Sequence, residues 1–299
     1  MKKLLFLSFL VLSVLLTGCG AKEVTVTDRE GNEVIVPTKI ERIISTAPSN
    51  SEVLLGLGLG EKIVGVDKYT SEHAELDENV TRFNFREPDV EVLIGLEPDI
   101  IFASGHNKAG DEDPFALIKE AGIPVVYLPS SASIEEIYKD IEFIASITST
   151  EKKGDKIVED MKVEIEAIKA IASTITDKKS VYLEISPAPW IYTTGTGTFQ
   201  HEMIKLIGAE NVFASEEGWI SASEESIIAN NPEVIVTNVN GETTVSDLIA
   251  RDGWNVIEAI QNNNVYQIDS NPSSRPSQNV IIAIKQLAEA VYPELYDFE

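Results

Sequence analysis

The sequence predicts an α/β protein in which two similar α/β lobes are joined by one long rigid helix. The first observation is a long amphipathic segment near the middle of the chain, at residues 149–176. The second is that strand and helix patterns alternate on both sides of that segment. The third is that stretches before and after it resemble each other, which indicates two related lobes with a ligand cleft between them.

These observations divide the chain into four parts. We expect a signal peptide at 1–18, an N-terminal lobe with its tether at 19–148, the linking helix at 149–176 and a C-terminal lobe at 177–299. Apolar residues of the linking segment recur in steps of three and four, and charged residues fill the opposite face, which predicts one narrow buried stripe. The stripe consists of Ile157, Met161, Ile165, Ile168, Ala172 and Ile175.

The composition is that of a globular protein with a strong excess of acidic side chains. Its 299 residues are 43% hydrophobic and 24% charged, and the formal net charge is −25. Such a charge argues against nucleic acid as a partner, because phosphate binding needs clustered Lys and Arg. Most of the charge is expected to solvate an extracytoplasmic surface.

The first residues have the pattern of a secretory signal. A basic start precedes an apolar run at residues 4–16, which is too short to span a bilayer because a spanning helix needs about 20 residues. The run ends in Leu-Thr-Gly followed by Cys19, the only cysteine. This end resembles a bacterial lipobox, which implies cleavage before Cys19, lipid attachment to its thiol and anchoring on the outer side of the cell membrane. No disulfide can then form.

The N-terminal lobe begins with a predicted hairpin, because residues 24–36 alternate in polarity around a Glu-Gly-Asn turn. A short strand follows at 42–46, and Ser49 or Asn50 can cap the helix after it. The remaining predicted elements are a strand at 63–66, a helix at 90–96, a strand at 99–103, a helix at 114–121, a strand at 124–128 and a helix that opens with a capping box at 133–136.

The C-terminal lobe repeats parts of this pattern. Residues 51–58 and 201–208 both place a Glu six residues before a Gly, within a helical pattern. Residues 91–101 and 225–235 both have a Glu, a Pro seven residues later, an acid and then an apolar strand. The repeat unit is far longer than that of a solenoid, so it indicates two lobes. Other predicted elements are a strand at 180–185, a helix at 199–207 and a short strand at 211–214.

Taken together, these segments resemble a family of transport proteins. From residue 24 to about residue 292 the chain is similar to ABC-importer substrate-binding proteins whose lobes are joined by a single helix. The resemblance is carried by residues 42–66, 90–101, 210–213, 219–235 and 275–276. It implies a monomeric binding protein, not an enzyme, with no cofactor of its own. The transported ligand is a metal chelate (an iron-siderophore, haem or cobalamin), and the partner is an ABC permease dimer with its ATPase subunits.

The resemblance also implies which side chains face the ligand. Aromatic residues line the cleft of the vitamin B12-binding relative, and the matching positions are Tyr69, Phe85, Tyr192 and Trp219. Arg275, together with Arg82 and Arg86 on either side of Phe85, is expected to hold ligand oxygens, because a guanidinium offers a planar fork of donors. The alternatives are core packing for the aromatic residues and a salt bridge for Arg275.

Two acidic positions are expected to contact the transporter. Asp89 and Ser223 have the residue types of helix N-caps, which places Glu91 and Glu225 in the first turns of equivalent helices, one in each lobe. The resemblance implies that both glutamates meet arginine pockets on the permease subunits. The simpler alternative is that each acid only complements a helix dipole, which is worth about 0.3 to 1 kcal/mol.

The residues alone leave two other classes of function open. A secreted hydrolase could use His201 with Glu202, or His106, although no nucleophile elbow, phosphate loop or zinc motif is present. A ligand-free adhesive lipoprotein would bind no small molecule. Binding of a bare metal ion is only weakly indicated, because the histidines (His73, His106 and His201) lack ligand spacing and the acidic run at 111–113 is expected to be a solvated loop.

Overall fold

Two parallel β-sheets, one in each lobe, organise the part of the chain that the structure describes. The computed structural model describes residues 22–107, 113–241 and 244–298. The predicted signal peptide and Cys19 lie outside the described residues, as do two residues of the acidic run at 111–113. None of the described helices combines the length and the apolar character that a membrane span requires.

A β-hairpin precedes the first lobe, as the sequence predicts. Strand β1 (Glu23–Thr27) pairs antiparallel with strand β2 (Glu33–Pro37). The buried Asp28 shapes the connection, because its Oδ1 accepts two backbone N–H groups of the turn at 3.0 and 2.8 Å. Its Oδ2 accepts the backbone N–H of Tyr127 at 3.0 Å. The same carboxylate therefore fastens the hairpin to the first lobe.

The N-terminal lobe contains a five-stranded parallel sheet. Its strands are β3 (Ile43–Ser45), β4 (Ile63–Asp67), β5 (Thr81–Phe83), β6 (Ile100–Ser104) and β7 (Val125–Leu128). They lie in the spatial order β5-β4-β3-β6-β7. Its helices are α1 (Pro48–Gly56), α2 (Val90–Gly95), α3 (Ala116–Glu120) and α4 (Ile134–Ile147). The predicted strands and helices are present, and the edge strand β5 is an addition that the sequence did not predict.

The start of α1 differs from the prediction. Its N-cap is Ala47, and neither Ser49 nor Asn50 caps it with a side chain. Pro48 occupies the first position of the helix, where proline is favourable because its missing N–H would have no partner within the helix. Asn50 is instead buried near the end of β6, with its amide 3.5 Å from two carbonyl oxygens of that strand.

The predicted capping box at the start of α4 is half formed. The Ser133 hydroxyl accepts the backbone N–H of Glu136 at 3.2 Å, as expected. The Glu136 carboxylate accepts the N–H of Ala132 at 2.6 Å, one residue before the expected donor. The backbone N–H groups at the start of α4 can therefore still donate to an acceptor from elsewhere in the protein.

The linking helix α5 (Glu151–Ala172) has 22 residues and is therefore about 33 Å long. It is shorter than the predicted segment at both ends. Ser149 has a φ of +55°, which separates α5 from α4 because a left-handed residue interrupts a right-handed helix. The buried stripe consists of Gly154, Val158, Met161, Ile165 and Ile168, whereas the predicted Ile157 is half-buried.

The C-terminal lobe contains a four-stranded parallel sheet and a small antiparallel ribbon. The sheet strands are β8 (Ser180–Glu184), β10 (Glu210–Asn211), β12 (Val234–Thr237) and β13 (Val265–Gln267), in the order β10-β8-β12-β13. The ribbon pairs β9 (Tyr192–Thr194) with β11 (Trp219–Ser221) and was not predicted. The helices are α6 (Phe199–Leu206), α7 (Glu224–Asn230), α8 (Thr244–Ile249), α9 (Glu258–Gln261), α10 (Ser270–Ser274) and α11 (Val280–Val291).

One apolar core connects the two lobes. Its largest cluster of buried side chains includes Leu54 of the N-terminal lobe, Met161 and Ile165 of α5, and Ile204 and Ile284 of the C-terminal lobe. Interiors packed in this way resist small displacements. The lobes are therefore held by side-chain packing on α5 as well as by the chain connection.

Candidate functional site between the lobes

A cavity of about 250 Å³ lies between the lobes. The N-terminal lobe supplies most of its wall, and the C-terminal lobe closes it with residues 274–276. The lining residues are Thr46, Ala47, Pro48, Ser49, Asn50, Val53, Phe85, Arg86, Ser104, Leu128, Pro129, Ser130, Ser131, Asp140, Ile144, Ser274, Arg275 and Pro276. Hydroxyl groups are common in this wall, so it can both donate and accept hydrogen bonds.

The sheet topology explains the position of the cavity. Strand β3 ends at Ser45, β6 at Ser104 and β7 at Leu128, and the cavity touches the residues at or just after these ends. Carboxyl ends of parallel strands meet at one edge of a sheet, where open α/β proteins bind their ligands. Helix α1 also begins at this edge, with no side-chain cap.

The buried Asn107 connects three residues that line the cavity. Its Oδ1 accepts the Thr46 hydroxyl at 2.6 Å and the backbone N–H of Ser104 at 2.5 Å. Its Nδ2 donates to the backbone carbonyl of Phe85 at 3.2 Å. One amide thus connects the ends of β3 and β6 to the loop that carries Phe85.

Asp67 at the end of β4 positions Tyr69 and Phe85, the two aromatic residues of the N-terminal lobe that were predicted to face the ligand. It is fully buried, and its two carboxylate oxygens accept the backbone N–H groups of Tyr69 at 2.8 Å and Phe85 at 3.2 Å. Burial raises the pKa of Asp67, although these backbone hydrogen bonds oppose the rise. The sequence analysis missed this residue, whose only signal was an acid directly after an apolar strand.

A second buried carboxylate, Asp140 of α4, forms part of the cavity wall. Arg29 of the hairpin turn donates from Nε to Asp140 Oδ1 at 2.6 Å, and the Ser131 hydroxyl donates to Oδ2 at 2.5 Å. Burial raises the pKa of Asp140, and both donors oppose the rise. The side chain lies on the buried face of an amphipathic helix, so nothing local in the sequence singled it out.

Phe85 and Arg86 bring an aromatic face and a cation to the cavity. Phe85 is half-buried, and the Arg86 guanidinium lies 5.4 Å from the centre of its ring, a distance at which a cation is attracted to the ring face. Arg86 forms no ion pair with another residue in the described ranges.

Arg275 also lines the cavity, but its charge is already paired. Its Nη1 donates to Glu52 Oε1 of α1 at 2.8 Å, and both side chains are nearly buried. Its Nη2 donates to the backbone carbonyl of Tyr69 at 2.9 Å. Arg275 therefore ties the C-terminal lobe to the N-terminal lobe.

The remaining predicted residues of the N-terminal lobe lie beside the cavity. The Tyr69 side chain is 60% exposed, and the Lys68 ammonium lies 4.9 Å from the centre of its ring. Arg82 donates to the Thr70 carbonyl at 2.6 Å and pairs with Glu72 at 2.9 Å. These contacts use Arg82 to shape the loop that follows β4.

Tyr192 and Trp219 come together on the β9–β11 ribbon, outside the cavity lining. The register pairs Tyr192 with Ser221 and Trp219 with Thr194, so both aromatic residues lie on one face of the ribbon at diagonal positions. Each is 43% exposed, and Trp219 Nε1 donates to Gln200 at 3.2 Å. Trp190, in the loop before β9, is 74% exposed and was not predicted.

The predicted docking glutamates occupy equivalent places in the two lobes. Asp89 caps α2 by accepting the N–H of Val92 at 3.1 Å, and Ser223 caps α7 by accepting the N–H of Ser226 at 3.1 Å. Glu91 and Glu225 are exposed in the first turns of these helices. The predicted caps are confirmed, and the contact with a transporter stays a prediction.

The two histidines whose side chains are described, His73 and His201, each lie beside a neighbouring polar group. His201 Nδ1 lies 3.2 Å from the Asn211 amide, and the Glu202 carboxylate accepts the N–H of Ile134 at 2.7 Å. His73 Nδ1 accepts a backbone N–H of its own loop, and the side chain of His106 lies outside the described part. No group of three or more His, Cys, Asp and Glu suited to a metal ion occurs among the described residues.

Comparison with known proteins identifies relatives along most of the chain. Residues 43–272 match the family described as periplasmic binding protein. An uncharacterized ABC transporter substrate-binding lipoprotein of Bacillus subtilis, YvrC, is 35% identical over 97% of this chain and 96% of its own length. The vitamin B12-binding protein of Vibrio parahaemolyticus is 29% identical over 84% of this chain and 89% of its own length.

A solved structure has the same fold. The crystal structure of a possible iron-binding, periplasmic solute-binding protein from Staphylococcus epidermidis matches with a TM-score of 0.76 and 31% sequence identity. The match covers 85% of this chain and 99% of that one. It extends the similarity from sequence to the arrangement of both lobes.

Proposed function

This chain belongs to the periplasmic binding protein family and is a substrate-binding protein of an ABC importer, and from that premise we propose that its ligand is a metal chelate. The chelate is an iron-siderophore, a haem or a corrinoid. Two relatives support this class of ligand, since one is named a vitamin B12-binding protein and the other is described as a possible iron-binding protein. The alternatives of a secreted hydrolase or an adhesive lipoprotein gain no support, because the relatives are substrate-binding proteins of transport systems.

The observation that carries the proposal is the cavity between the lobes, with Phe85 and Arg86 on one side and Arg275 on the other. Chelate oxygens bind Arg86, whose charge has no partner in the described part of the chain, and the free donors of Arg275. The ring system of the ligand packs on Phe85, where aromatic contact and area burial both favour it.

The exposed aromatic residues extend this site beyond the cavity. The cavity of about 250 Å³ is smaller than the roughly 300 to 1,000 Å³ of typical small-molecule sites, so we place part of a macrocycle or a large siderophore outside it. Tyr69 offers an exposed ring beside the N-terminal lobe, and Tyr192 with Trp219 offers a two-ring face on the other lobe. We assign these three residues to the outer part of the chelate, and Arg82 to support of the loop beneath it.

A thermal-unfolding screen with a ferric hydroxamate siderophore, haem and cyanocobalamin tests the proposal. One of the three should stabilise the protein, by about 2.7 kcal/mol when its concentration is 100 times the Kd. For that chelate, Phe85→Ala should raise the Kd roughly fivefold, since ring contacts contribute about 1 kcal/mol. Arg86→Gln should raise it roughly tenfold or more through loss of a charged hydrogen bond.

Two matched variants control for general effects of the substitutions. Phe143→Ala removes a half-buried ring of α4 that does not line the cavity, and Lys156→Gln removes a cation from the exposed face of α5. Both should leave the Kd unchanged. If no chelate in the panel stabilises the protein, or if the control variants weaken binding as much as the cavity variants, the assignment of ligand and cavity is wrong.

We also propose that the mature protein is anchored by lipid at Cys19. The lipobox-like end of the signal sequence supports this, and the Bacillus subtilis relative is named a lipoprotein. Cys19→Ser should therefore shift the protein from the membrane fraction to the soluble extracytoplasmic fraction or leave it unprocessed. A variant that stays membrane-bound after normal processing would contradict the anchor.

For delivery, we propose that the protein binds as a monomer to a permease dimer with its ATPase subunits, through Glu91 and Glu225. One exposed acid at the same place in each lobe suits a partner with two related subunits. No described residue pairs with either glutamate, so both are available to external cations.

A further inference from the structure

The Glu52 carboxylate of α1 reaches across the cleft and binds a segment of the other lobe. Besides the ion pair with Arg275, its Oε2 accepts hydrogen bonds from the Ser277 hydroxyl and from Asn279 Nδ2, the latter at 3.0 Å. The Glu52 backbone carbonyl accepts Gln278 Nε2 at 2.8 Å. Asn279 is the N-cap of α11, so Glu52 holds the start of the last helix of the C-terminal lobe.

The Glu202 carboxylate makes the reverse contact. It belongs to α6 of the C-terminal lobe and accepts the backbone N–H of Ile134 at 2.7 Å. Ile134 is the first residue of α4, the helix that follows the last strand of the N-terminal lobe. A carboxylate at this position satisfies one of the free N–H groups of a helix and complements its dipole.

Glu52 and Glu202 are the two glutamates that stand six residues before a glycine in the internal repeat. Each lies on the first helix after the first sheet strand of its lobe, and each binds the start of the last helix of the opposite lobe. We propose that these two contacts are a pair of interlobe latches, which together set the separation of the lobes.

The latched segments also carry the wall of the cavity. Residues 128–131 precede α4 with two residues between them, and residues 274–276 precede α11 with three residues between them. A contact that fixes the start of each helix therefore also fixes the cavity-lining residues that precede it. Glu52 and Glu202 are positioning residues, since neither lines the cavity and each acts on it through the opposite lobe.

Hydrogen–deuterium exchange on the full-length protein without ligand tests the proposal. Glu202→Ala removes the acceptor of the Ile134 N–H, so exchange of the peptide that contains Ile134 should rise by about tenfold or more. The decisive measurement is the exchange at the contact that the substitution does not touch. If both latches hold a single arrangement of the lobes, Glu52→Ala should also raise exchange at Ile134, and Glu202→Ala should raise exchange at residues 277–281.

Conservative variants separate the latch from a general packing defect. Glu202→Gln keeps an oxygen that accepts the Ile134 N–H, so its exchange should stay close to that of the parent. Glu52→Ala leaves Arg275 without its ion-pair partner; if it fails to fold, Glu52→Ala combined with Arg275→Gln removes the acceptor together with the unpaired cation and takes its place. Glu151→Ala, at the exposed start of α5, is the matched control and should change neither peptide.

Exchange that rises only beside the substituted residue would overturn the proposal, because the contacts would then be independent helix caps. Equal exchange in Glu202→Ala and the parent would also overturn it. If exchange at Ile134 is as fast in Glu202→Gln as in Glu202→Ala, the acceptor oxygen does not fix the separation of the lobes.

Discussion

Single side chains show how burial sets the chemistry of this acidic protein. The pKa of His201 is lowered, first by desolvation and then by the nearby Lys205. Its Nδ1 lies 3.2 Å from Asn211 Nδ2, and only a neutral ring can accept a hydrogen bond from that amide. His201 is therefore a structural residue at the start of α6, and its protonation opposes the fold.

This pKa shift predicts a loss of stability in acid. The unfolded chain binds a proton near the ordinary value of 6.5, and the folded chain binds it only at lower pH. Between these two values the unfolded state holds more protons, so the free energy of unfolding falls as the pH falls through that window. His201→Gln should reduce the loss, measured by urea unfolding at about pH 7.5 and about pH 5.

Val163, an exposed residue of α5 without a titratable group, supplies the control for this measurement. Val163→Ala should leave the difference between the two pH values as it is in the parent protein. An equal loss of stability in His201→Gln and the parent would assign the acid sensitivity to other groups.

At the scale of elements, one glycine determines how α4 and α5 pack. A Cβ atom on Gly154 would lie 2.5 Å from the Cβ of Ala145 and 3.9 Å from Leu57. Real Cβ atoms do not approach each other so closely, so the two helices need this glycine to pack at their observed separation. The only glycine of the linking helix is therefore a packing position.

Gly154→Ala should destabilise the protein by about 1 to 3 kcal/mol through overpacking. This outweighs the gain of up to about 1 kcal/mol that alanine brings to a helix interior. Adding Ala145→Gly should recover much of the loss, and a double-mutant cycle in urea measures the coupling.

Gly95→Ala is the matched control for this cycle. Gly95 ends α2, and no heavy atom lies within 4 Å of a Cβ placed on it, so its substitution should be neutral or slightly stabilising. A stable Gly154→Ala variant, or a double variant no better than the single one, would show that α4 and α5 do not depend on this contact.

At the scale of the whole molecule, the two lobes form one packed unit that carries an exposed glutamate at the equivalent position of each lobe. The apolar cluster that runs through α5 includes residues of both lobes, so ligand binding is expected to tilt the lobes by a small angle. Glu91 and Glu225 therefore keep a nearly fixed separation. Two charges at a fixed separation can pair with two equivalent sites on a partner that has twofold symmetry. Such charge pairs determine how the two proteins orient and how fast they associate more than how tightly they bind.

Glu91→Ala combined with Glu225→Ala should leave folding and chelate affinity nearly unchanged, because both side chains are exposed and neither lines the cavity. Uptake of the chelate, or ATP hydrolysis stimulated by the binding protein, should fall by more than about tenfold, since each lost charge pair contributes at least about 1.5 kcal/mol. Each single variant should show an intermediate defect.

The combination of Glu61→Ala with Glu216→Ala is the control, because it removes one exposed acid from each lobe without touching α2 or α7. Its uptake should equal that of the parent at the same protein level. Normal uptake by the Glu91 and Glu225 double variant would leave both glutamates with only a helix-dipole role.

Local patterns in the sequence were sufficient for the lobes, most strands and helices, and the caps at Asp89 and Ser223. Propensity, periodicity and capping act between residues a few positions apart, so a single sequence contains them in full. The cap of α1 was missed because Pro48 starts the helix by its fixed backbone and not by a side-chain hydrogen bond.

Tertiary structure alone decided what surrounds the cavity. Arg275 and Glu52 are 223 residues apart in sequence, and their pairing leaves Arg86 as the guanidinium of the cavity lining that forms no ion pair within the described part of the chain. The buried Asp67 and Asp140 and the β9–β11 ribbon depend in the same way on distant strands and loops. The sequence determined which elements form, whereas the partner of each side chain was determined by long-range packing, which no local pattern encodes.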